Sequence, residues 1–164
     1  MTVIQRSSYV SASNCDAMVA ALPAFTTSLE GHCRGDEGGD KLSVYQHIKR
    51  KYFTEELKTA WENSMPAEVV STYLVSSFLK IPANTGILHP TTLGNAVDRP
   101  IGCFLSVALT DGQNLKINGT KYEVNKGDAL IFDASDTYAT DTISTDALWS
   151  VNMVPTWKKA TYAG

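Results

Sequence analysis

Two textures divide this chain. Up to about residue 66 its apolar positions recur at helical spacing. Met18, Ala21 and Leu22 mark one stretch, Val44, Ile48 and Tyr52 a second, and Leu57, Ala60 and Trp61 a third. Ser13 or Asn14 is placed to cap the first helix and Pro23 to stop it; Thr54 caps the third, and Pro66 closes it. Between the first two lies residues 31–40, with four glycines and several charges, which reads as a loop.

From Glu68 onward the pattern shortens. Residues 69–81 form a β-branched and aromatic run that predicts a long strand, closed by the turn chemistry of Pro82-Ala83-Asn84-Thr85-Gly86. Shorter strands are predicted at 102–109, 115–117, 122–124, 129–132 and 147–154, separated by turns at Asp111-Gly112 and Lys126-Gly127-Asp128. Asn118-Gly119, set between LKI and KYEV, is the clearest hairpin signal, because both residues tolerate the positive φ of a type I′ turn. Many short strands with little helix between them mean a sandwich or closed barrel, with Tyr73, Phe78, Phe104, Phe132 and Trp149 as its core.

Composition narrows the function without naming it. At 164 residues, 43% hydrophobic and 19% charged, the chain suits one globular domain. A net charge of -3 argues against nucleic-acid or membrane-surface partners, which need a basic footprint. The basic run Lys49-Arg50-Lys51, beside Glu55 and Glu56, reads as a solvated face. Cys15, Cys33 and Cys103 are too sparse for a disulfide framework or a zinc site, and fit a reducing compartment. With no apolar leader and no long apolar span, a soluble cytoplasmic protein is the expectation, and the Asn118-Gly119-Thr120 sequon is a turn and not a glycosylation site. The glycines of residues 31–40 lack the Gly-Lys-Ser/Thr ending of a phosphate loop, and Arg34-Gly35-Asp36 is a chance tripeptide.

A set of ordered segments over roughly residues 69–157 resembles the aspartyl/asparaginyl β-hydroxylase family of iron(II)/2-oxoglutarate oxygenases. The segments are a strand and turn leading to a histidine, Phe78 to His89, then the hairpin Leu115 to Val124. A Gly-containing turn into a Phe-Asp strand follows, Lys126 to Ser135, and a last strand closes at Pro155. The resemblance implies a mainly β fold, a double-stranded β-helix or cupin-like jelly-roll barrel over residues 67–157. Residues 1–66 would form its helical cover and 158–164 a tail, all within one domain. It also implies His89 as a metal ligand, with iron(II) and 2-oxoglutarate as cofactors.

The chain departs from that pattern where the chemistry resides. The family's second histidine, about six residues after the Phe of Phe-Asp, is Tyr138 here, and the carboxylate that related oxygenases place two residues after the first His is Thr91. No Arg or Lys lies between Lys126 and Lys158 to pair with the far carboxylate of 2-oxoglutarate. A non-haem iron site needs about three protein ligands on one face, and a buried dicarboxylate needs a cation. Arg99 is the candidate substitute cation, and Asp98, Asp133, Asp136 and Asp141 are candidate substitute ligands. Tyr138 is a candidate phenolic ligand or proton donor, its alternative being a space-filling residue; His89 without metal would be a satisfied barrel-mouth histidine. His47 reads as a surface helix residue, and His32 with Cys33 as loop residues.

The pocket candidates are therefore His89, Tyr138, Thr91, Arg99 and Asp133. The expected function is a barrel that is non-catalytic or repurposed, binding a small molecule or a protein partner. The alternatives are an active iron(II)/2-oxoglutarate-dependent hydroxylase with substituted ligands, and a cupin-type acid–base enzyme using Tyr138 and His89.

Overall fold

The computed structural model describes residues 3–25, 46–73, 75–86, 102–133 and 135–155. In chain order these form β1 (Ile4–Arg6), α1 (Ala12–Ala21), β2 (Gln46–Lys49), α2 (Glu55–Ser64), α3 (Ala67–Thr72) and β3 (Val75–Ile81). There follow β4 (Gly102–Ala108), β5 (Gln113–Ile117), β6 (Thr120–Val124), β7 (Ala129–Asp133), β8 (Tyr138–Ala139) and β9 (Ala147–Pro155). A six-stranded sheet runs β1-β7-β4-β9-β3-β2, and a three-stranded sheet runs β6-β5-β8. Every described pairing is antiparallel. From β4 onward the chain alternates between the two sheets, as a jelly roll does: β4 in the large one, β5 and β6 in the small, β7 large, β8 small, β9 large.

The hairpin at Asn118-Gly119 forms as expected, with φ of 50° and 84°. Gly127 also needs its positive φ (91°), and a side chain there would drive a Cβ to 2.3 Å from the Val10 carbonyl oxygen. Thr54 caps α2 through its hydroxyl, which accepts from Leu57 N–H at 3.1 Å. The cap of α1 lies earlier in the chain than expected: Ser11, not Ser13 or Asn14, accepts from Asn14 N–H.

Several readings of the sequence are corrected. Ile48 lies on a strand, β2, which pairs with β3, so the helix expected through Val44, Ile48 and Tyr52 is reduced, over its described part, to a single 3-10 turn at Arg50–Tyr52. His47 accordingly sits on a strand and not on a helix. The long strand expected at 69–81 begins only at Val75; residues 67–72 are helical. Pro66, which suits the start of a helix, nucleates that turn, and the Ser71 and Thr72 hydroxyls satisfy themselves on the Glu68 carbonyl. Tyr73 therefore packs edge-on against Trp61 in the helical layer and not in a barrel. The first half is also more than helical cover, since β1 and β2 form the two edges of the large sheet.

The large sheet is buried on both faces, and strand alternation sorts its side chains. Phe78, Cys103, Leu105, Val107, Ala129, Ile131 and Val154 pack with Cys15, Met18, Leu57, Trp61 and Val69 of the helices. Ile81, Phe104, Ala108, Leu130, Phe132, Ala147, Trp149 and Met153 face the other way, against Leu115, Ile117 and Val124 of the small sheet. That second layer is the inside of the barrel. Among the described residues no helix is long and apolar enough to cross a membrane.

Candidate functional site

Tyr138 opens β8 opposite Ile117 of β5, at the barrel end where β4 begins and β7 and β9 finish. Its ring packs edge-on to Phe104, with centroids 5.9 Å apart, and tilted against Phe132 at 6.3 Å; those two rings are 5.3 Å from each other. The half-buried phenol thus stands on a wall of aromatic rings. A turn built from side chains fixes it there. Asn118 donates to Asp136 Oδ1 at 2.9 Å and accepts from Thr137 N–H at 3.0 Å, while Asp136 Oδ2 accepts from Asp133 N–H at 3.0 Å. Asp136, 8% exposed, is the buried acid among the described residues, and this turn uses both of its oxygens.

Asp133 falls on the face of β7 shared with Ala129 and Ile131, opposite to that of Phe132, so alternation directs it away from the barrel interior. Its Oδ1 is buried without a hydrogen-bond partner. His89, Thr91 and Arg99 lie outside the described residues, as do Asp98, His32 and Cys33. Asp141 sits on the segment leading to β9, where it bridges Lys116 at 2.6 Å and Lys121 at 3.1 Å. These two ammonium groups hold its carboxyl below the usual carboxylate range.

The last strand decides what the interior offers an anion. Its inward positions are Ala147, Trp149, Val151 and Met153, all apolar, while its polar residues Ser150 and Asn152 face the helices. There Asn152 Oδ1 accepts from Trp61 Nε1–H and Ser76 O–H, both at 3.1 Å, and its amide donates to the Leu105 carbonyl at 3.2 Å. An Asn inside the apolar run of β9 was the sequence signal for this buried network.

Iron and 2-oxoglutarate fit these described residues poorly. A phenol on apolar rings stands where an imidazole is needed, and the inward face of β9 has no cation for a carboxylate. Among the described residues no group of three His, Cys, Asp or Glu is placed to hold a metal ion. Cys15 offers no nucleophile either: burial first, then Asp16, pushes its thiol up to about 11.

No family model matches the chain, and no curated protein matches it in sequence. Solved structures do resemble it in shape. A Pseudomonas putida prolyl-4-hydroxylase superposes with a TM-score of 0.60 at 13% identity, over 93% of this chain and 91% of that one. A non-heme alpha-ketoglutarate-dependent epimerase from nogalamycin biosynthesis gives 0.65 at 10% identity, over 93% and 78%. An alpha-ketoglutarate-dependent carbocyclase from the same biosynthesis gives 0.62 at 12%, over 93% and 79%. Strand order, sheet packing and these superpositions together make the fold a cupin-like jelly roll.

Proposed function

We propose that this chain is a jelly-roll binding module for a small molecule, built on the oxygenase fold without its iron and 2-oxoglutarate chemistry. The observation that carries the reading is the apolar environment of the site: Tyr138 rests on Phe104 and Phe132, and β9 turns only Ala147, Trp149, Val151 and Met153 inward. Barrel interiors are natural small-molecule pockets, and an apolar lining selects a ligand with little charge. The resemblance to aspartyl/asparaginyl β-hydroxylases carries over His89 alone as a metal ligand.

The competing reading, an oxygenase with substituted ligands, draws on the fold likeness to the hydroxylase, epimerase and carbocyclase. Anaerobic titration with Fe²⁺ and 2-oxoglutarate separates the two. Losing a buried, charge-assisted anchor costs about 2–5 kcal/mol, roughly 30- to 5,000-fold in affinity. We expect no metal-to-ligand charge-transfer band, and no succinate once oxygen is admitted. Stoichiometric iron binding at micromolar affinity with that band, abolished by His89→Ala, would overturn the binding-module reading and establish the oxygenase.

A further inference from the structure

The small sheet ends on β6, whose one strand partner among the described residues is β5. The two-residue turn at Asn118-Gly119 makes Ile117 and Thr120 a hydrogen-bonded pair, and such pairs recur at every second position along the hairpin. The backbone groups of Thr120, Tyr122 and Val124 therefore turn toward β5, and those of Lys121 and Glu123 turn to the outer edge. The Gln5 side chain agrees with this direction, donating to the Glu123 carbonyl at 3.2 Å from the β1 side.

Side chains along β6 alternate between the two faces of the sheet. Tyr122 and Val124 pack into the barrel layer, so Lys121 and Glu123 stand on the outer face, their side chains 45% and 81% exposed. Directly across the hairpin Lys121 meets a like charge, Lys116, and the Asp141 carboxylate bridges the two, at 2.6 Å from Lys116 and 3.1 Å from Lys121. Glu123 approaches Lys121 along its own strand at 3.7 Å and is otherwise turned to solvent.

We infer that β6 is a homodimer edge, pairing antiparallel with β6 of a second copy about a two-fold axis at Tyr122. That axis is the centre of the five-residue strand, so the whole of β6 is paired. It sets Lys121 opposite Glu123 of the second copy, and Glu123 opposite that copy's Lys121. These are the residues whose N–H and C=O point outward, so the two pairings make four backbone hydrogen bonds. The Glu123 carbonyl has two lone pairs, enough for Gln5 and the second copy together. The same pairings oppose unlike charges on the outer face, where direct cross-strand neighbours interact. A lysine on an edge strand ordinarily blunts it by repelling its own kind. Here Glu123, two residues on, makes the edge self-complementary. Moving the axis one residue either way would oppose Lys121 to Lys121 or Glu123 to Glu123, so the charges select one register.

Sedimentation velocity of the full chain, from micromolar to millimolar concentration, tests this. The interface is small, so a weak, reversible dimer is expected, weaker still as salt rises. Glu123→Lys opposes lysine to lysine at both pairings and should weaken dimerisation about tenfold or more. Lys121→Glu should do the same by opposing glutamates. Because Lys121 also holds Asp141, circular dichroism checks that variant's fold, and Glu123→Lys decides alone if it is lost. Mixing the two variants is the sharper arm. One presents two acids and the other two bases, so a heterodimer recovers both unlike pairings and association returns. Lys121→Glu combined with Glu123→Lys in one chain exchanges the charges and should restore the homodimer. A chain that stays monomeric at millimolar concentration would overturn the inference. So would a dimer indifferent to Glu123→Lys, which must use another surface, or folded variants whose mixture fails to associate. None of these outcomes bears on the iron titration, so the two readings fail separately.

Discussion

At Asn118 the backbone is held in the left-handed region while the side chain reaches three groups of the β7–β8 turn. The backbone part was legible in the sequence, because Asn-Gly between two alternating runs has few other uses. The side-chain part was not, since it depends on Asp136 and Thr137, eighteen and nineteen positions away, arriving at the same corner. The two parts separate experimentally. Asn118→Gly keeps the φ and loses the three bonds, leaving buried Asp136 short of a donor; a loss of about 1–3 kcal/mol is expected. Asn118→Ala loses the same bonds and adds left-handed strain, so it should be about 1 kcal/mol less stable than the Gly variant. Equal urea midpoints for the two would show that backbone strain plays no part. Tyr138 belongs to the same corner: its position in the sequence marked it, but only the structure supplies Phe104 and Phe132 as its neighbours.

Among the elements, those whose pattern is local were the legible ones. The strands β4 to β7 and β9, and helix α2 with its Thr54 cap, lie close to where turn residues and periodicity put them. The failures share a cause. Residues 67–72 have a β-rich composition but become helical, because Pro66 starts a turn and Val69 is needed in the helical layer. β2 is a strand because β3 offers it an edge, which no local pattern reports. The buried Asn152 network tests how the helical layer is joined to the sheet. Asn152→Ala strips the acceptor from Trp61 Nε1–H and Ser76 O–H and the donor from the Leu105 carbonyl, all within the core. A loss of about 3 kcal/mol or more is expected, since buried groups left unpaired cost the most. In a double-mutant cycle Trp61→Phe should cost less on the Asn152→Ala background than alone, because the indole N–H then has no acceptor to lose. Strict additivity would show that the Trp61 bond contributes nothing.

For the molecule as a whole, the division into cover and barrel conceals how the large sheet is closed. Its outer strands come from the first half of the chain: β1 seals β7, and β2 seals β3. The helices cover a face that carries Phe78, Leu105, Val107, Ile131 and Val154, each at most 1% exposed. Removing residues 1–66 would therefore uncover that apolar face and two long sheet edges together. Restoring each such side chain to water costs about 1.5–3 kcal/mol, so the five amount to roughly 10 kcal/mol, comparable with the whole stability of an ordinary domain. Unpaired edges beside exposed apolar surface also template association. A fragment spanning residues 67–157 is thus expected to lack a cooperative thermal transition and to aggregate, whereas the full chain unfolds in one step with coincident near- and far-ultraviolet circular dichroism. Supplying residues 1–66 in trans should restore a transition if sheet edges and helical layer are what the fragment lacks. A fragment that stays monomeric and melts cooperatively alone would show that the two sheets suffice, and that the first half only decorates a barrel able to stand without it.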